Sequence, residues 1–193
     1  MKKYENNEDA AKSYALRLLI HYMGDLVQPF HCENRFSSEY PDGDKGANSF
    51  PLKYHYNVDE LHALWDMVIY SQHTSIPRPF TTTSWDDFQV QVLTMMDDYA
   101  YTVEDPKVYE SLDFEAWGEE AYDIAITLYD GVTPDEPVPQ AYIDKQLPVA
   151  NQQLTIGGYR LYYIIDYCFS EGTSETDKVF DAWFKQVFSA ITN

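Results

Sequence analysis

His21-Tyr22-Met23-Gly24-Asp25-Leu26-Val27-Gln28-Pro29-Phe30-His31 reads as the end of a helix, stopped by Pro29, with a histidine placed just past the stop. His21 and Asp25 stand four apart, so an imidazole and a carboxylate share one helical face. The same spacing recurs at His62 and Asp66, and His31 lies between the two pairs. Neutral imidazole nitrogen and carboxylate oxygen both suit the tetrahedral shell of zinc. A single His-x-x-x-Asp pair is also an ordinary helix-surface contact. Three features together favour a metal: the repeated spacing, the third imidazole fixed by Gln28-Pro29-Phe30, and the polar turn Asp44-Lys45-Gly46-Ala47-Asn48 between the pairs.

Helical periodicity dominates on both sides of this stretch. Asn7 or Asp9 caps a first helix to about residue 27, with Ala11, Ala15, Leu18, Leu19, Tyr22 and Met23 as its apolar stripe. Residues 33–57 are loop-like, apart from a short hairpin arm expected within Phe50–Tyr56. A second helix is expected from Asn57 or Asp59, carrying Leu61, Leu64, Trp65 and Val68. A third follows Ser84, where Ser84-Trp85-Asp86-Asp87 resembles a capping box. A fourth runs from about Asp113 to Tyr129, and Pro134, Pro137 and Pro139 make an extended connection. Long and final helices follow over about 140–167 and 174–192. The expected fold is all-α, a single multi-helix domain over 1–193 with short irregular insertions.

The chain has 193 residues, 45% of them apolar, enough for one sizeable core. No apolar run reaches the roughly 18 residues that cross a bilayer. The net charge of −19 excludes a basic nucleic-acid clamp of the usual kind. It fits either a well-solvated acidic surface or a site where divalent cations offset part of the charge. Cys32 and Cys168 are too few for a disulfide framework; one bridge and two buried free thiols are both open. Phe50, Tyr54 and Tyr56 either stack a base or pack their loop on the core.

The stretch 21–31 resembles the H-x-x-G-D-x-x-Q-P-x-H pattern of the trinuclear-zinc, single-strand-specific nucleases of fungi, plants and protozoa, relatives of the zinc-dependent phospholipases C. Asp44, Gly46 and Asn48 match that family's D-x-G-x-N turn, and Leu61, His62, Trp65 and Asp66 its L-H-x-x-W-D motif. Trp117-Gly118-Glu119-Glu120 and Gly157-Gly158-Tyr159-Arg160-Leu161 resemble two later helical motifs, so the likeness runs from about 8 to 166 and covers the family's C-terminal two-thirds. It implies that His31, His62 and Asp66 ligate one zinc and that His21 ligates a second. It implies that Asp25 is the carboxylate bridging this second zinc to the third, the catalytic candidate of the set. Asn48 matches a substrate-binding residue near the phosphate, while Asp44 and Gly46 shape the loop. The implied activity is zinc-dependent hydrolysis of single-stranded DNA or RNA, with release of terminal phosphate from nucleotides. An inactive zinc-binding helical module and a phospholipase C-like enzyme are the alternatives. No basic amphipathic helix suggests a membrane surface, and no obligate protein partner is evident.

Four ligands of the family pattern have no counterpart: an amino-terminal tryptophan, a histidine soon after it, and a further aspartate and histidine. Met1 to Glu8 contains neither tryptophan nor histidine. The expectation is therefore either a fragment or a shortened paralogue. The 193 residues alone are then expected to bind about one zinc and to show little nuclease activity. The two lysines at the start have no apolar run behind them and so do not form a signal peptide. A missing N-terminal portion would imply secretion or a lysosome-like lumen.

Overall fold

A computed structural model describes residues 7–55, 58–69, 71, 78–99 and 112–169. Asn7 caps α1 (Glu8–Val27) by accepting the Ala10 N–H at 3.0 Å. The chain then makes a 3-10 turn, Pro29–Cys32, followed by the antiparallel strands β1 (Pro51–His55) and β2 (Val58–Glu60). Four helices complete the described fold: α2 (Leu61–Asp66), α3 (Thr82–Asp98), α4 (Phe114–Ala125) and α5 (Gln140–Phe169). The described architecture is all-α with one two-stranded hairpin; β1 falls within the arm expected over Phe50–Tyr56, and β2 lies just beyond it. No helix among the described residues is long and apolar enough to cross a membrane. The expected helix over 174–192 and the side chains of Tyr54 and Tyr56 lie outside the described residues.

Several boundaries differ from expectation for local reasons. The expected second helix loses its start to the hairpin: Val58–Glu60 pair with β1, and the Leu61 N–H donates to the Phe50 carbonyl at 3.1 Å. Helix α2 then stops at Asp66, so Val68 falls outside it, with φ of +50°. Helix α3 begins before Ser84. Thr81 is the cap, its hydroxyl accepting the Ser84 N–H at 3.1 Å, while Ser84 Oγ accepts the Thr81 N–H at 2.9 Å. Helix α4 starts where expected, with Asp113 as its cap, but it ends at Ala125, and tight turns carry Leu128 and Tyr129 inward. Pro148 removes one donor inside α5 without ending it. The proline-rich connection runs along β1, with Asp135 N–H donating to the Pro51 carbonyl and Lys53 N–H to the Glu136 carbonyl, both near 3.1 Å.

Two cores result. Helices α1, α4 and α5 share one around Met23, Trp117 and Ile164. Gly157 lets α5 approach α1 closely, since a Cβ there would lie 2.8 Å from a Val27 methyl. That approach sets the rotation of α1: its buried line runs through Leu19, Met23, Leu26 and Val27, and Tyr22, expected in the stripe, is 48% exposed. Arg160, fully buried, lies 4.6 Å above the Trp117 ring and bonds to Glu120, which joins the two later helical motifs. The larger core gathers Phe30, Phe50, Leu61, Leu64, Trp65 and Leu128 beneath the 3-10 turn, the hairpin and α2. This second core carries the candidate site.

Candidate metal centre

Pro29 cannot continue α1, and Gln28 becomes the hinge, with φ −86° and ψ 111°. Its side-chain oxygen accepts the Phe30 N–H at 2.6 Å, capping the 3-10 turn. Phe30 is fully buried, edge-on to Trp65 at 6.0 Å and to Tyr129 at 5.3 Å between centroids. With Phe30 anchored, the turn presents His31 on its open side.

Helix α2 supplies the other two groups from one face, one turn apart. His31 Nε2 lies 3.6 Å from Asp66 Oδ1, and His62 Nε2 lies 3.5 Å from the same oxygen. The two imidazole rings are edge-to-face, 4.7 Å between centroids. Among the described residues this is the one group of three metal-capable side chains, with ligand atoms all within 4.8 Å. Zinc bonds of about 2.0–2.2 Å at tetrahedral angles put neighbouring ligand atoms about 3.3–3.6 Å apart, so the separations fit that ion. A buried contact sets the tautomer: His62 Nδ1–H donates to the Gly46 carbonyl at 2.6 Å, which leaves the Nε2 lone pair facing the group. Gln28 Nε2 donates to Asp66 Oδ1 at 2.9 Å and fixes the carboxylate.

The turn that offers the Gly46 carbonyl is itself held from below. Asp44 is fully buried; its Oδ1 accepts the Arg35 N–H at 3.1 Å and its Oδ2 accepts the Tyr129 hydroxyl at 2.6 Å. The same hydroxyl lies 2.7 Å from Glu33 Oε2. The Arg35 guanidinium stacks 3.9 Å over the Tyr129 ring, with Nε 3.6 Å from Asp44. Burial, then the bonds to Asp44 and Glu33, pushes the Tyr129 phenol far above its ordinary range, so it keeps its proton. Burial also raises the Glu33 carboxyl.

His21 and Asp25 pair with each other on α1 at 3.4 Å, on a largely solvent-facing side, and lie outside the group of three. Asp25 sits one turn before Gln28, whose backbone N–H it receives at 3.1 Å. Asn48 is exposed, and its amide donates to the Lys45 carbonyl at 2.8 Å. Phe50 is buried and packs on Tyr129 at 5.7 Å, so it belongs to the core. Sequence reasoning assigned no site role to Gln28 or Tyr129. The Gln-Pro-x-His motif carried a signal for Gln28; for Tyr129, 85 residues from Asp44, there was none.

Both cysteines are free, and Cys32 Sγ contacts the Leu26 carbonyl at 3.6 Å. Burial pushes the Cys168 thiol from 9.0 up to about 11 and also raises Cys32, to which the Asp25 charge adds. At pH 8 the thiolate fraction of Cys168 is thus about one hundredth that of a free thiol. Iodoacetamide should label Cys168 about a hundredfold more slowly in the folded protein than in urea, read by mass spectrometry. Equal rates would show that Cys168 is not buried.

The chain matches the S1/P1 Nuclease family over residues 1–170. It is similar to Endonuclease 1 of Arabidopsis thaliana, 27% identical over 173 residues, covering 81% of this chain and 50% of that protein. Endonuclease 2 of the same plant is 28% identical over 155 residues, covering 76% of this chain and 49% of its own length. The chain therefore spans about half the length of the curated relatives it matches. No solved structure gives a significant match.

Proposed function

The chain belongs to the S1/P1 nuclease family, and on that premise we propose that it serves zinc-dependent hydrolysis of single-stranded DNA and RNA, including removal of terminal phosphate from nucleotides. The observation that carries this reading is the convergence of His31, His62 and Asp66, with separations of 3.5 and 3.6 Å and the His62 lone pair turned inward. When bound, zinc supplies the positive charge that offsets phosphate and activates water for attack on phosphorus. The protein's part is to aim the two imidazole rings at one point beside the Asp66 carboxylate, which Gln28 fixes. His21 is assigned to a second ion, Asp25 to the role of the carboxylate that would bridge it to a third and serve catalysis, and Asn48 to the substrate phosphate. Cations held here would also offset the −19 charge that otherwise repels phosphodiesters. A secreted or lysosome-like setting accords with this reading.

The test combines zinc content with hydrolysis of single-stranded DNA, duplex DNA and short-chain phosphatidylcholine. The expected result is about one zinc per 193-residue chain, removed by EDTA, with any hydrolysis confined to single strands and lost with the metal. No bound zinc would overturn the reading. Zinc without hydrolysis, even when the chain is extended by the N-terminal ligand segment of a relative, would favour the inactive module, and preferential lipid cleavage the phospholipase-like enzyme.

A further inference from the structure

Tyr129 lies on the far side of Phe30 from the candidate metal group, yet its hydroxyl touches both segments that carry it. Glu33, 2.7 Å away, stands two residues after His31. Asp44, 2.6 Å away, stands two residues before Gly46, whose carbonyl orients His62. The two segments are wedged together at the same level: a Cβ on Gly46 would lie 2.1 Å from the Phe30 carbonyl oxygen and 3.2 Å from that of Glu33. Direct bonds between these segments run from Asp44 N–H to the Arg35 carbonyl at 3.0 Å, from Arg35 N–H to Asp44 Oδ1 at 3.1 Å and from Lys45 N–H to Asn34 Oδ1 at 2.8 Å, so two of the three depend on side chains. The Tyr129 hydroxyl, shared between the Glu33 and Asp44 carboxyl groups, ties both segments to the turn after α4.

We propose that Tyr129 is a positioning residue of the metal centre: its hydroxyl holds the His31 segment and the Gly46 turn in the register at which His31 and His62 aim at one point. This rests on the zinc reading above. Tyr129 touches neither ligand, and acts by restricting where their two segments sit. Partners that orient metal ligands typically matter about 10–100-fold in metal affinity. The Tyr129 ring packs on Phe30 and Phe50, so removing the hydroxyl alone leaves that packing in place.

The experiment is zinc titration by calorimetry of the full 193-residue chain with Tyr129→Phe, Asp44→Asn and the double variant, and the absorption spectrum of the cobalt(II)-loaded forms. Ile164→Ala, in the other core, serves as a control for lost stability alone. Tyr129→Phe should bind zinc about 10–100-fold more weakly at unchanged stoichiometry, with an altered cobalt ligand-field band. The double variant should lose clearly less than the sum of the two single losses, since both break the Tyr129–Asp44 bond. Ile164→Ala should melt earlier and keep the wild-type zinc affinity. Tyr129→Phe binding within twofold of wild type, additive losses in the double variant, or an equal loss in Ile164→Ala would overturn the proposal. Absence of zinc binding in the wild type would instead overturn the metal reading on which it rests.

Discussion

Replacing His62 by alanine is expected to abolish stoichiometric zinc binding. Structural zinc sites are worth about 10–16 kcal/mol spread over about four ligands, so one ligand carries roughly 3 kcal/mol, about a hundredfold or more in affinity. His62 is also buried, and its loss leaves the Gly46 carbonyl without its partner. Asp66→Asn separates the two effects. Asp66 is half exposed, so the neutral amide should shift stability by no more than about 0.5 kcal/mol while still weakening zinc about a hundredfold. Dialysis against zinc followed by elemental analysis reads both variants. Wild-type zinc content in either would show that the three side chains do not form the site.

The second large effect is expected at Gly46. Its φ of +61° is shared by Lys45 and Ala47 at 60° and 62°, so the left-handed backbone by itself does not demand glycine in this turn. The Phe30 carbonyl does, because a Cβ at Gly46 would stand 2.1 Å from its oxygen, and both groups are backbone. Gly46→Ala must therefore separate the Asp44–Asn48 turn from the 3-10 turn. The expected cost is about 3 kcal/mol or more, combining strained backbone with the displaced contact, or a fall in melting temperature of roughly 10 °C. Zinc binding should fall with it, since the Gly46 carbonyl moves away from His62 Nδ1. Gly24→Ala is the matched contrast. Gly24 lies within α1 with nothing within 4 Å of its would-be Cβ, so alanine there should stabilise by about 1 kcal/mol. Equal melting temperatures for the two variants would show that the Gly46 contact carries no weight.

From sequence alone came the helical class, the helix stop at Pro29, a first helix capped at Asn7 or Asp9, a fourth starting near Asp113, and the motif residues of the metal group. These are local matters: a proline without an N–H, a side chain reaching a backbone donor three residues on, and a four-residue spacing that repeats one helical turn. It also marked where Trp117, Glu120 and Arg160 lie, though not that the three meet. Local reading failed where a contact distant along the chain outweighed propensity. Strand pairing with Pro51–His55 took the residues expected to start α2, and the close approach of α5 at Gly157 turned Tyr22 outward. Only the tertiary structure chose the His62 tautomer, because the Gly46 carbonyl arrives from a turn 16 residues earlier. Only it placed Gln28 on Asp66 and Tyr129 between Glu33 and Asp44, across 38, 96 and 85 residues of chain. No spacing rule spans such distances; what brings these groups together is the shared apolar core beneath Phe30.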